Sequence, residues 1–216
     1  MAHPPTVPAR KRNPRHTRDR LARAALELFT TRGYHETTTP LIATRAGVAE
    51  GTIYRHFASK DELLNEVYRA GVRLFVAALK ESDARGGCRG RLEGVAKRWR
   101  DIAAREPALV RLVFSDAFTA RVDERSRTTL RELRAELEKL VAAGKAAGEI
   151  RHGAAELHAD LWLRLIELVL DRTARGTWKS DDPAIAQVIE AAWDAIGAPT
   201  GRTALSPGAP RVENAT

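Results

Sequence analysis

The chain has 216 residues, 44% apolar and 30% charged, which suits one or two packed domains and excludes a disordered or fibrous polymer. Its net charge of +8 is unevenly placed: residues 1–80 hold 14 Lys/Arg against 7 Asp/Glu, and the rest hold 22 against 21. A basic lobe on a near-neutral body points to a polyanionic partner for that lobe alone.

Cys88 is the single cysteine, which excludes an internal disulfide and a Cys-based zinc site. Apolar runs such as LWLRLIELVL (161–170) are broken by charges well short of the ~20 residues of a membrane helix. The opening MAHPPTVPAR lacks the apolar core of a signal peptide. The expected location is the cytoplasm, with no membrane partner.

Residues 1–14 carry four prolines and the cluster Arg10-Lys11-Arg12, and read as a flexible basic arm. A first helix is expected from an N-cap at Thr17, with Leu21, Ala25, Leu28 and Phe29 on one face and Gly33 at its end. A short second helix follows Thr38 or Thr39, with Pro40 in its first turn, where a missing N–H costs nothing. Gly47 breaks it, and a third short helix runs over about Glu50–His56. Ser59 and Glu62 form a capping box for a fourth helix reaching towards Lys80.

The stretch ESDARGGCRG (81–90) is expected to be a loop and domain boundary. Beyond it, helical spacing appears at Leu92/Val95/Trp99/Ile102, at Leu109/Leu112/Val113, and at Leu130/Leu133/Leu137/Leu140. Gly144 and Gly148 are expected to close the last of these. A helix over 157–173 and another capped by Asp182, with Pro183 next, complete an all-α chain. From Gly197 the composition turns Pro/Gly-rich, which reads as a loose tail.

The stretch AGVAEGTIYRHF (46–57) carries the chemistry. On a helical wheel Ile53 and Phe57 share a face and should pack inward. Gly51 and Arg55, flanked by Thr52 and Tyr54, then face outward. Two short helices joined by a glycine turn, with a small, hydroxylated and cationic outer face, fit a helix-turn-helix that enters a major groove. Glycine permits close approach, hydroxyls reach phosphate, and arginine can pair with guanine O6 and N7.

These residues resemble a known signature. TTTPLIATRAGVAEGTIYRHFASKDELL (37–64) is similar to the DNA-binding motif of TetR-family transcriptional regulators. The resemblance implies a three-helix DNA-binding domain joined to a helical ligand-binding and dimerisation domain. It implies a homodimer that represses from a palindromic operator in double-stranded DNA and leaves when a small-molecule effector binds. Thr38 and Thr39 would cap the second helix and touch phosphate; Glu50, Gly51, Thr52, Tyr54, Arg55 and His56 would form the recognition helix; and Lys60 would contact phosphate. Leu41 departs from the pattern, standing where many members have an acidic capping residue. The organisation expected is an arm (1–14), a helix-turn-helix domain (15–60), a connecting helix (61–80), an effector-binding and dimerisation domain (81–197) and a tail (198–216). Arg15 and Arg18 would join the arm along flanking phosphates or a minor groove.

For the body, the segments of about 157–173 and 183–196 are the candidate dimer helices. Leu161, Leu165 and Leu168 form one apolar stripe, with Trp162, Ile166 and Val169 beside it. The charges of Asp160, Arg164, Glu167 and Asp171 face either a partner chain or solvent. Trp99, Phe114, Phe118 and Trp162 are candidate walls of an effector pocket. His152, Glu156 and His158 do not place two histidines at the i, i+4 spacing of a helical metal pair, so no metal and no cofactor are expected. No catalytic motif appears, so no enzyme is expected. The alternatives are a nonspecific DNA-binding scaffold, or an all-α enzyme with an anionic substrate.

Overall fold

A computed structural model describes residues 14–82 and 86–199. In chain order it holds α1 (Pro14–Arg32), α2 (Thr39–Arg45), a 3-10 helix (Glu50–Arg55), α3 (Lys60–Lys80), α4 (Gly87–Arg105), α5 (Pro107–Val113), α6 (Asp116–Thr119), α7 (Glu124–Ala146), α8 (Ala155–Ala174) and α9 (Pro183–Asp194). The described residues contain no strand, only an isolated antiparallel bridge between Ile150 and Gly197.

Three boundaries differ from the sequence reading. The chain is already helical at Pro14, so Thr17 lies one turn inside α1 rather than capping it. The third helix is 3-10: Thr52 N–H donates to Ala49 C=O (2.9 Å) and His56 N–H to Ile53 C=O (3.0 Å). No side chain caps this segment, and short 3-10 pieces of this kind are common between α-helices. The expected loop 81–90 ends early, since α4 begins at Gly87 behind Gly86, which sits at φ +90°.

Gly144 does not end a helix. It lies inside α7, where a Cβ would collide with the buried Cys88 of α4, so it permits a close helix crossing. Gly148, at φ +75°, provides the left-handed turn after α7. The stretch from Gly197 is anchored at first: Arg151 N–H donates to Ile196 C=O (3.0 Å) and Ala198 N–H to Glu149 C=O (2.8 Å). The rest of the expected tail, 200–216, lies outside the described residues, as does the arm up to residue 13.

α1, α2 and the 3-10 helix share a small core of Leu21, Ala25, Phe29, Ile42, Ile53 and Phe57, continuous with the body through Leu64 and Tyr68 of α3. Ser59 caps α3, accepting from Glu62 N–H (3.0 Å), and the Glu62 carboxylate in turn accepts from Ala58 N–H. In the body Trp99 is fully buried and donates its indole N–H to Phe75 C=O (3.0 Å). Phe75, Phe114 and Trp162 ring it at centroid distances of 5.6, 6.3 and 6.0 Å. Such tilted and edge-on contacts hold α3, α4, α5 and α8 around one aromatic centre.

Candidate nucleic-acid interface

The candidate reader, the 3-10 helix Glu50–Arg55 with the turn after it, is fixed from behind. Ile53 and Phe57 are each 1% exposed, so the two apolar anchors are inside. Glu50, Gly51, Tyr54 and Arg55 face outward, and Thr52 and His56 are half-buried at the edges. A Cβ at Gly51 would meet nothing within 4 Å, so the surface there is open. Arg55 is exposed, and its guanidinium carries five N–H donors for a partner outside the chain.

The turn before the reader is held by Arg20. Its guanidinium donates to the carbonyls of Ala46 and Gly47, closing the end of α2. Gly47 sits at φ +64°, and a Cβ there would strike that guanidinium. Thr38 caps α2 through a long bond from Leu41 N–H (3.4 Å), and Leu41 has no carboxylate to complete a reciprocal box. The Thr39 and Tyr54 hydroxyls lie 2.9 Å apart, joining the start of α2 to the outer face of the reader.

Two basic residues sit differently from expectation. The Arg18 fork binds Glu66 of α3, its third nitrogen donates to His56 C=O (3.1 Å), and the group lies 4.6 Å from the Phe57 ring centre. These contacts use three of its five donors and tie the turn after the 3-10 helix to α3. Lys60 turns its ammonium into the α1–α2 loop, donating to Tyr34 C=O (3.0 Å) and Thr37 C=O (2.8 Å) over the Tyr34 ring. Its charge therefore organises the loop that precedes α2. Arg15 is exposed, and Arg10, Lys11 and Arg12 lie outside the described residues.

Tyr34 is the centre of that loop. Its hydroxyl donates to Asp61, and burial together with this carboxylate raises its pKa to about 12, so it stays a donor. Sequence reasoning missed Arg18, Arg20 and Tyr34 as parts of the reader's frame. Their roles depend on partners 26 to 48 positions away, which no local pattern discloses.

In the body, Leu157, Leu161 and Leu168 form an exposed apolar stripe on α8, while Trp162, Ile166 and Val169 turn into the chain's own core. The neighbouring charges pair within the chain: Arg164 with Glu167 (2.9 Å), Arg175 with Asp171 (2.7 Å) and Arg134 with Asp160 (3.3 Å). A cavity of about 460 Å³ lies between α1, α5, α6 and α8, lined by Thr30, Val110, Phe114, Ser115 and Phe118 with Glu167, Asp171 and two arginines. Of the four aromatic residues expected at a pocket, Phe114 and Phe118 line it. Trp99 and Trp162 are spent in the aromatic centre behind. Burial pushes the Glu167 carboxyl above its ordinary range, against the pull of Arg164.

A buried apolar pair behind an open, cationic reader, preceded by a capped helix and a glycine turn, defines a helix-turn-helix DNA-binding domain on an all-helical body. Residues 21–67 match the family model described as bacterial regulatory proteins, tetR family. It is 46% identical over 71 residues to the HTH-type transcriptional regulator TcmR of Streptomyces glaucescens, covering 33% of this chain and 31% of that protein. It is 33% identical over 102 residues to the HTH-type transcriptional activator FasR of Mycolicibacterium smegmatis, covering 47% of each. The chain thus matches about a third to a half of these relatives' length. A TetR-family regulator from Marinobacter aquaeolei shares the fold over 85% of this chain and 96% of its own, with TM-score 0.73 and 24% identity.

Proposed function

We propose that the chain is a homodimeric transcriptional repressor that binds a palindromic operator and is released by a small-molecule effector. The observation that carries this is the division of the reader: Ile53 and Phe57 are buried while Gly51, Tyr54 and Arg55 stand outward beside Thr39. Arg55 is assigned to base reading, Gly51 to close approach, and Thr38, Thr39 and Tyr54 to phosphate. Glu50, Thr52 and His56 border the read bases, and Lys60 presents the start of α3 to the backbone. The dimer face is assigned to α8 and α9, because Leu157, Leu161 and Leu168 are an apolar stripe left exposed among the described residues.

The cavity behind Phe114 and Phe118 is assigned to the effector. Two readers about one helical turn apart bind together only while the dimer keeps that separation. An effector that changes the separation, carried along α3, releases both halves. No helix among the described residues is long and apolar enough to cross a membrane, and the assigned setting is the cytoplasm.

The test is selection of random duplex DNA by the purified protein at about physiological salt, followed by sequencing of the enriched pool. An inverted repeat supports a sequence-reading dimer. An enriched pool with no shared motif overturns the reading in favour of a nonspecific scaffold.

A further inference from the structure

The α1–α2 loop receives a contact from outside the reader domain and outside α3. Arg121, in the turn after α6, places one guanidinium nitrogen 2.7 Å from His35 Nε2 and its central carbon 4.5 Å from the Tyr34 ring centre. Arginine stays protonated, so it is the donor and the imidazole nitrogen accepts.

Tyr34 is tied in turn to both ends of the reader's frame. Its hydroxyl holds Asp61, while Lys60 lies over its ring at 4.1 Å and donates to the Tyr34 and Thr37 carbonyls. Thr38, the next residue, caps α2, and Thr39 meets the Tyr54 hydroxyl on the reading face. Contacts therefore run without a gap from Arg121 to Tyr54. At its other end Arg121 hangs on the cavity wall: the Phe118 carbonyl accepts from Arg121 N–H (3.0 Å) and Val122 N–H (3.2 Å). Phe118 itself lines the cavity, and Thr30 of α1 lines it from the reader side.

We propose that Arg121 is a positioning residue that couples the cavity to the reader through the α1–α2 loop, along a route parallel to α3. A ligand pressing on Phe118 displaces the turn whose backbone hangs on that residue. Arg121 is drawn off His35 and Tyr34, and the loop that sets α2 and the start of α3 is released from the body. The direction reverses when operator binding fixes the loop, since coupling between two sites is reciprocal. This inference rests on the operator-binding reading.

The experiment uses the full chain and needs no identified effector. Random-duplex selection with the unaltered protein comes first, and its failure to give an inverted repeat sinks the operator reading itself. With the repeat in hand, R121A should select the same half-site bases over a wider range of spacers and bind the best site at least about fivefold more weakly. R121K, which keeps a charge near the ring without the planar guanidinium that meets ring and imidazole together, should fall between. F118W, which fills the cavity, should weaken binding at least about fivefold in the unaltered protein and much less in R121A. If F118W does not fold, as judged by circular dichroism, Ser115→Phe from the same lining repeats the cycle. An unchanged spacer range in R121A, or the same factor for the filled cavity in both backgrounds, overturns the coupling while leaving the operator reading in place.

Discussion

Arg18 separates two accounts of the basic first helix. As a phosphate-tracking residue it would add to DNA affinity and little to stability. The structure instead gives it the Glu66 fork, the His56 carbonyl and the face of Phe57. The Arg18 and Glu66 side chains are 38% and 32% exposed, so the ion pair is partly screened by solvent and contributes only about 0.5–1 kcal/mol. The hydrogen bond to the carbonyl adds about 1 kcal/mol, and the partly exposed cation–π contact about 0.5–1 kcal/mol. Arg18→Ala should therefore cost roughly 1.5–2.5 kcal/mol of stability, somewhat less than the full sum, since these terms share one side chain and do not fully add. Arg18→Lys keeps a charge near Phe57 but loses the fork, and should recover less than half.

The assay is urea unfolding at fixed protein concentration, because the proposed dimerisation would make apparent stability concentration-dependent. It is paired with the salt dependence of operator binding. A residue that does not touch phosphate leaves the slope of log K against log salt unchanged. Removing one phosphate-binding side chain from each protomer of a dimer would lower that slope by ~1.8. A slope reduced by that amount with unchanged unfolding would refute the framing role and return Arg18 to the arm.

Arg55→Ala should cost ~1–3 kcal/mol per half-site and relax preference at one base pair, measured by competition between operator variants; equal weakening of every sequence would make Arg55 a phosphate contact. Leu161→Glu should place a charge in the centre of the exposed α8 stripe and shift the protein to monomer in sedimentation, with helix content unchanged. Gly144→Ala should destabilise by ~1–3 kcal/mol in thermal unfolding, because the added methyl meets Cys88 across the α4–α7 crossing.

The helix-turn-helix was legible because its determinants are local. Ile53 and Phe57 are four apart, Thr38 and Pro40 mark a helix start, and Ser59 with Glu62 mark another. The structure keeps each of these. Local pattern failed where a residue's duty is set by something distant. The resemblance put Lys60 on phosphate, yet two loop carbonyls 23 and 26 positions earlier also hold its ammonium. Gly144 looked like a terminator, yet its need for no side chain comes from Cys88. The four aromatic residues proposed for a pocket divided for the same reason. Trp99 and Trp162 satisfy one another within the core, while Phe114 and Phe118 reach its edge, and periodicity cannot separate a ring in a core from one beside a cavity.

The distribution of charge bears on how such a chain can be switched. Its excess of cations lies in the first 80 residues, yet Arg18, Arg20 and Lys60 are all used to hold backbone carbonyls of the reader and its loop. The basic lobe is thus partly a scaffold, and the part that meets DNA is narrower than the net charge implies. A reader held by a few charged contacts is easier to reposition than one buried in a large core, because each contact carries only about 1 kcal/mol and exchanges readily with water. Arg121 adds one more contact of that kind, from the body side. On the proposed coupling, small forces at the cavity would move the reader without unfolding it, provided that Ile53 and Phe57 keep their places in the core.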